Sequence, residues 1–209
     1  MCYSLEASRN IFILNILTCL TVYYTTSHKV LAQFFAYIGL IQLFDYILWS
    51  NQDLTDPSQE KTNRSATVLS MLTLNLQPIV LALLITQGGM LLQDKSKIVV
   101  SIYTVVIAIY SWYIYGRINH TVAEDIGGVQ SLNWRWTVQP YNEIIYGIYI
   151  FCLILLFYEH FTDSTRLIMI FVTMMTYLAA KINFKNSHAG RMWCKLGAFI
   201  PLVLLFKTE

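Results

Sequence analysis

The stretch VLAQFFAYIGLIQLFDYILWS, residues 30–50, is the clearest structural signal in the chain. It is 21 residues long and contains a single charged residue, Asp45. A helix needs about 20 mostly apolar residues to cross the hydrocarbon core of a bilayer, where every backbone polar group must be paired within the helix. The stretch therefore predicts a membrane-spanning helix.

Further apolar stretches of similar length lie on both sides of this one. Together they predict an all-α polytopic membrane protein, a seven-transmembrane-helix bundle that forms a single domain over residues 1–209. Most connections are short, so neighbouring helices are expected to run antiparallel. The predicted helices cover 10–27, 30–50, 67–87, 97–116, 141–159, 165–182 and 191–207.

The overall composition agrees with a membrane protein. Charged residues make up 12% of the chain, whereas soluble domains carry about 25%. The net charge of +2 gives no electrostatic basis for binding nucleic acid. The cysteines are far apart and include no C-x-x-C pair, so they predict neither a disulfide framework nor a zinc finger.

Two longer connections interrupt the apolar pattern. Residues 51–66 are polar and contain a proline, which predicts a solvated loop. Residues 117–140 contain Trp134 and Trp136, and part of this segment is expected to lie on the membrane surface. The first apolar run lacks a small-residue cleavage pattern, so it is interpreted as a retained helix and not as a secretory signal.

The distribution of lysine and arginine predicts the orientation. The side that holds the N-terminus carries nine of these residues, and the opposite side carries five. The positive-inside rule therefore favours a cytoplasmic N-terminus. The lipid bilayer is the expected partner, with a small solute or an ion as the ligand, and a homo-oligomer is left open.

The candidate ligand site centres on Asp45. Gln42 precedes it by three residues and Trp49 follows it by four, so the three side chains share one helix face. An ionisable residue at membrane depth is rare and often functional, which favours a proton, cation or polar-ligand site. The alternative is that Asp45, about five residues from the helix end, is hydrated at the headgroup level.

A second polar cluster lies in the third predicted helix. Asn75 and Gln77 are amides within an apolar run, and Pro78 is expected to bend the helix. A bent helix with inward-facing amides can line a cavity. The alternative is that the amides simply hydrogen-bond to a neighbouring helix, and this is favoured for Asn75.

One end of the bundle collects potential metal ligands. The predicted topology brings Cys2, Cys194, His120 and His188 to the same membrane face. Thiolates and imidazoles bind transition metals, so a metal site is one hypothesis, and a redox pair or acylation of Cys2 are others. The alternative is a packing thiol at Cys194 with solvated histidines, since the residues lack close ligand spacing.

Short motifs at both ends carry a family resemblance. The start M-C-x-S-x-x-x-S, the pattern Q-x-x-D-x-x-x-W in the second helix and a late W-C resemble a small family of multi-pass membrane proteins of bacteria and large DNA viruses. That family has no established activity, so the resemblance implies shared architecture and not a reaction. The family usually has Glu-Gly where this chain has Asp45-Tyr46, and a histidine at Ile41. The matching positions are Cys2, Ser4, Ser8, Gln42, Asp45, Trp49, Trp193 and Cys194.

Three functions remain open at this level. The leading hypothesis is a transporter or channel for a small solute or an ion, with proton coupling through Asp45 and Gln42. The first alternative is a metal-dependent or thiol-based membrane enzyme, and the second is a non-catalytic receptor or organising protein. Ser4 or Ser8 is expected to cap the first helix, because serine before an apolar run is a frequent helix start.

Overall fold

A computed structural model describes residues 4–126, 129–134, 136, 139–183 and 196–206. Over these residues the chain forms helices and one β-hairpin, so the predicted helical architecture is confirmed in its main feature. The helices are α1 (Leu5–Thr25), α2 (Lys29–Ser50), α3 (Pro57–Asn75), α4 (Gln77–Gln87), α5 (Asp94–Tyr115), α6 (Asn142–His160), α7 (Asp163–Asn183) and α8 (Ile200–Leu205). The hairpin strands are β1 (Val122–Ile126) and β2 (Val129–Asn133).

Four of these helices, α1, α2, α5 and α6, are long and apolar enough to cross a membrane, with mean hydropathies of 1.3 to 1.8. The bent pair α3–α4 adds a fifth span if it is counted as one. The chain therefore has the helices of an integral membrane protein. Seven spans are not confirmed. Among the described residues α7 is not one of these spans, and the predicted helix 191–207 lies partly outside them.

The N-terminal cap of α1 is Ser4, which confirms one of the two predicted capping residues. Its hydroxyl oxygen accepts a hydrogen bond from the Ala7 N–H at 3.1 Å. The cap satisfies a backbone donor that has no partner within the first turn. Because of it, α1 begins at Leu5, five residues before the predicted start.

The predicted loop at 51–66 is wrong in its second half, because α3 begins at Pro57. The Asp56 carboxylate caps this helix by accepting the Ser58 N–H at 2.8 Å, and proline suits the first helical position. The polar residues that suggested a loop therefore form the first turns of a helix. Their polarity therefore does not indicate an irregular backbone.

The expected bend near Pro78 is confirmed. The helix breaks at Leu76, and α3 and α4 meet at an angle of 58°. Proline lacks the N–H that would continue the helical ladder, and its ring crowds the preceding turn. Counted together, the two helices are long and apolar enough to cross a membrane.

Helix α2 lies at the centre of the packing. Half of the residues in its most apolar 18-residue stretch are buried, compared with 22 to 33% in the corresponding stretches of α1, α5 and α6. It packs against α1, α3, α4 and α8. The α1–α2 contact is close at Gly39, where a Cβ would stand 2.0 Å from the Asn15 Oδ1 atom. Asn15 also donates to the Ala198 carbonyl at 2.9 Å, which ties the C-terminal segment to this pair.

The outer surface of the bundle is apolar. On α5, Val105, Ile109 and Trp112 are 60%, 66% and 83% exposed. Extended apolar surfaces of this kind are rare on soluble monomers. They are expected where the neighbouring solvent is lipid.

The segment 117–140 folds differently from the expectation. It forms an antiparallel hairpin in which Val122 pairs with Asn133. Trp134 and Trp136 are 0% and 2% exposed, and their rings stack with centroids 5.5 Å apart. The two tryptophans therefore pack inside the protein, and the placement of part of this segment on the membrane surface stays a prediction.

Asn63 of α3 fixes the start of this hairpin. Its amide nitrogen donates to the carbonyls of Thr121 at 2.9 Å and Asn51 at 2.8 Å, and its amide oxygen accepts the Thr121 N–H at 3.0 Å. The Thr67 hydroxyl adds a bond to the Thr121 hydroxyl at 2.9 Å. One buried asparagine thus joins α2, α3 and the hairpin.

We expect Asn63→Ala to loosen this junction. The substitution leaves the buried Thr121 N–H without its acceptor, which destabilises a protein by about 1–3 kcal/mol, while the Thr121 carbonyl keeps a bond from the Gln52 amide at 3.2 Å. Hydrogen exchange of the Thr121 amide should speed up strongly, with a lower melting temperature in detergent. Asn119→Ala, at an exposed position of the same loop, serves as the control. Equal exchange in the two variants would contradict this role.

Candidate functional site

The Asp45 side chain is fully buried in α2, with 0% of its surface exposed. Gln42, one turn earlier, is 2% exposed, and Trp49, one turn later, is partly buried against the core. The structure thus places the predicted helix-two residues on the side of α2 that faces the bundle. A hydrated Asp at the surface, the alternative considered above, does not fit this burial.

Ser8 of α1 lies at the level of Asp45. Asn15 lies against Gly39 where the antiparallel helices α1 and α2 pack. Moving from Asn15 to Ser8 covers seven residues, about 10 Å at 1.5 Å per residue, and moving from Gly39 to Asp45 covers six. Ser8 is 1% exposed. It is therefore a buried residue of the α1 core face, and the helix cap is Ser4.

Ser70 of α3 lies at the same level along α2. Asn63 bonds the Asn51 carbonyl at the end of α2. Seven residues along α3 from Asn63 lead to Ser70, and six residues back along the antiparallel α2 from Asn51 lead to Asp45. Ser70 is 1% exposed. Three consecutive helices thus each place one buried polar side chain at one depth, and we call Ser8, Asp45 and Ser70 the Asp45 layer.

The Asp45 layer and the nearby Trp49 contain unsatisfied hydrogen-bonding groups. Within the part of the chain that the structure describes, the hydroxyl oxygens of Ser8 and Ser70 and the indole Nε1 of Trp49 have no hydrogen-bond partner. A buried polar group without a partner destabilises a protein by about 1–3 kcal/mol. Such groups are unusual in native proteins and are often explained by function or by a bound molecule.

The helix bend forms a separate polar cluster. The Asn75 amide donates to the Ser111 hydroxyl at 3.2 Å, and the Asn75 carbonyl accepts the Tyr103 hydroxyl at 2.6 Å. The Gln77 amide oxygen accepts the Tyr149 hydroxyl. The interhelical role favoured for Asn75 is thus observed, and Gln77 has a similar contact. These bonds hold the break at Pro78 between α5 and α6.

We expect Tyr103→Phe to weaken the bend. Tyr103 is fully buried, and the change removes the donor to the Asn75 carbonyl. Hydrogen bonds between membrane helices contribute about 0.6–2 kcal/mol, so the melting temperature in detergent should fall measurably. Tyr24→Phe, at a position that is 79% exposed, should leave it unchanged. Equal melting temperatures for the two variants would show that the hydrogen bond from Tyr103 to the Asn75 carbonyl does not stabilise the bend.

The two clusters are at different depths. Gln77 follows Ser70 by seven residues, which corresponds to about 10 Å along a helix. The predicted ligand set therefore divides into Asp45, with Gln42 one turn before it and Trp49 one turn after it on α2, and Asn75 with Gln77 near the bend. Asp45 and Gln77 could contact one solute only if that solute spanned about two helical turns.

The metal hypothesis stays a prediction. Cys2, Cys194, His188 and Trp193 lie outside the described residues. His120 is described, and its Nε2 atom lies 3.4 Å from a Glu60 carboxylate oxygen. Across the described ranges, histidine, cysteine and acidic side chains form no group of three or more that could hold a metal ion.

The opposite end of the bundle brings the other two histidines together. His28 and His160 line a small cavity of about 190 Å³. Nearby, the Ser96 hydroxyl donates to Glu159 at 2.5 Å and lies 3.4 Å from the His160 Nε2 atom. A hydrolytic triad needs the imidazole between the hydroxyl and the carboxylate. Here the hydroxyl lies between them, so the arrangement ties the start of α5 to the end of α6.

Ser70 and the role of Ser8 were missed by sequence reasoning. Both are small hydroxyl residues within or beside apolar runs, where serine is common and usually bonds its own backbone. The signal that could have identified them is their spacing from Asp45 across two short connections. The spacing alone does not show that these residues share one depth; that follows only from how α1 and α3 pack along α2.

The chain was compared with protein-family models, curated proteins and solved structures. No family model matches it, and neither a curated protein nor a solved structure does. The resemblance to the small membrane-protein family therefore stays a prediction carried by the short motifs quoted above.

Proposed function

We propose that this protein is a membrane transporter or channel for a small solute or an ion, in which Asp45 carries the proton or cation that crosses. The observation that supports this most is the Asp45 layer: a fully buried carboxyl group on the central helix, with buried hydroxyls at its level on both neighbours. Ionisable residues inside membrane bundles commonly mark ion and proton pathways.

The chemistry of the layer suits a small cationic species. A carboxylate in an apolar interior is strongly unfavourable unless it is protonated or has a partner. Hydroxyl oxygens at the same level can coordinate a cation or hydrogen-bond a protonated carboxyl group. We assign this role to Ser8 and Ser70, with the Trp49 N–H as a further donor. Proton binding needs the fewest ligands and is the simplest form of the proposal.

The bent span α3–α4 supplies a second feature of such proteins. Many transporters bind substrates and ions near discontinuous helices. We assign Asn75, Gln77 and Pro78 to holding this bend, because the amides already bond Ser111 and Tyr149. Movement at the bend would change the packing of α3 around Asp45 and so open or close the layer.

The membrane architecture that goes with this proposal has seven spans. The five observed candidates would be completed by α7 and by the predicted stretch 191–207. The excess of lysine and arginine on the N-terminal side supports a cytoplasmic N-terminus. The Asp45 layer would then lie in the cytoplasmic half of the bundle.

Proton flux is the first test. Purified full-length protein is placed in liposomes that enclose a pH-sensitive dye, and a potassium diffusion potential is applied with valinomycin. We expect the interior to acidify faster than in vesicles without protein. Equal rates across a range of pH and potential would contradict the proton form of the proposal.

A further inference from the structure

A groove on the outside of the bundle combines basic and apolar side chains. It lies between the first half of α3 and the C-terminal end of α5 and has a volume of about 530 Å³. Its α3 wall includes Lys61, Arg64, Val68 and Leu69, and Tyr115 of α5 lies opposite. The groove shares no residue with the bend cluster or with the Asp45 layer.

The lining changes from charged to apolar along α3. Lys61 and Arg64 occupy the end nearest the start of the helix, and Val68 and Leu69 follow one to two turns later. Eight residues separate Lys61 from Leu69, which corresponds to about 12 Å of helix rise. Charge at one end and apolar surface at the other match the polarity of a lipid that stands along the helix.

The neighbouring residues place this gradient at a membrane boundary. Trp112 is 83% exposed on α5, and Tyr115 is 52% exposed. Arg117 stacks on the Tyr113 ring, with its guanidinium carbon 4.2 Å from the ring centroid. Aromatic residues at helix ends, next to arginine, are typical of the level of the lipid headgroups.

The charge balance of the groove is positive. In the described part of the chain Lys61 and Arg64 form no ion pair with a carboxylate. Glu60 also lines the groove, and its carboxylate oxygen lies 3.4 Å from the His120 Nε2 atom. Lys61 and Arg64 therefore face the open groove without an ion-pair partner, and a phosphate group there would balance their positive charge.

We propose that this groove binds an anionic phospholipid. The lipid phosphate lies between Lys61 and Arg64, and an acyl chain follows Val68 and Leu69 toward the middle of the bilayer. Arginine and lysine are the usual phosphate ligands, and basic residues next to a membrane surface strengthen the binding of anionic lipids. The Leu69 side chain is 47% exposed. This apolar surface favours a lipid over a free phosphate ion, because a phosphate ion has no apolar part to contact it.

The test measures lipid binding to the purified full-length protein by native mass spectrometry. Phosphatidylglycerol and phosphatidylcholine with the same acyl chains are titrated in turn. We expect preferential binding of phosphatidylglycerol, and the double variant Lys61→Gln/Arg64→Gln should weaken it about tenfold or more, corresponding to the loss of two basic contacts. Leu69→Ser should weaken it by a smaller factor, about threefold, because it shortens the apolar wall.

The matched control removes the same charge from the opposite end of the bundle. Lys95→Gln/Lys97→Gln should retain wild-type binding of phosphatidylglycerol. Only variants that keep the wild-type melting temperature are compared, so that a loss of binding does not reflect unfolding. Equal weakening by both double variants would overturn the site, as would equal binding of the two lipids by the wild type. Complete displacement by inorganic phosphate, with no effect of Leu69→Ser, would identify a free-anion site and overturn the lipid assignment.

Discussion

Asp45→Asn is expected to reduce potential-driven proton flux to the level of vesicles that contain no protein. The amide has nearly the shape of the carboxyl group, so the packing around α2 should be preserved. However, it cannot release a proton or balance the charge of a cation. Flux in dye-loaded liposomes should therefore be lost, while the melting temperature and the elution volume in detergent stay close to those of the wild type.

Two variants make this result specific. Asp53→Asn changes the same group in the exposed loop between α2 and α3, where the Asp53 carboxylate accepts bonds from Thr55 at 2.6 and 3.0 Å. It should retain full flux. Asp45→Glu keeps a carboxyl group in the bundle and should retain measurable flux. Wild-type flux in Asp45→Asn would contradict a role for Asp45.

Gly39→Ala is expected to have the largest effect on stability. The new methyl carbon would stand 2.0 Å from the Asn15 Oδ1 atom and 2.8 Å from its Cγ atom, both far inside contact distance. Asn15 would have to move and give up its bond to the Ala198 carbonyl. Overpacking together with a lost buried hydrogen bond should lower the free energy of unfolding by about 2–4 kcal/mol.

Gly147→Ala is the matched control, because a Cβ at this position of α6 meets nothing within 4 Å. Alanine is favoured over glycine in a helix, so this variant should be equal to or about 0.5–1 kcal/mol more stable than the wild type. Asn15→Ala should largely relieve the clash in the Gly39→Ala background. A double-mutant cycle in detergent measures this coupling, and simply additive effects would refute a direct contact between Asn15 and Gly39.

The helices of this protein could be predicted because lipid permits few alternatives. A run such as residues 30–50 must be helical if it spans a bilayer, and α2 begins one residue before that run. The bend near Pro78 was also predictable, because its cause is the local chemistry of proline. The start of α3 at Pro57 was missed because its polar first turns resemble a loop in composition, although Asp56-Pro57 is a regular helix start.

The hairpin and the Asp45 layer could not be predicted in the same way. The strands β1 and β2 are short, and Trp134 and Trp136 are buried by tertiary packing that no local pattern encodes. Asp45 was recognisable as a rare intramembrane acid. Its neighbours Ser8 and Ser70 were not, because their common depth depends on how α1 and α3 align along α2.

Infrared difference spectroscopy of the protein in lipid, recorded as the pH is varied, tests most directly whether Asp45 takes up a proton inside the folded bundle. We expect a C=O band of a protonated carboxyl group that changes with pH in the wild type and in Asp53→Asn, and that is missing from Asp45→Asn. The same band in all three proteins, or no pH-dependent carboxyl band in the wild type, would contradict it.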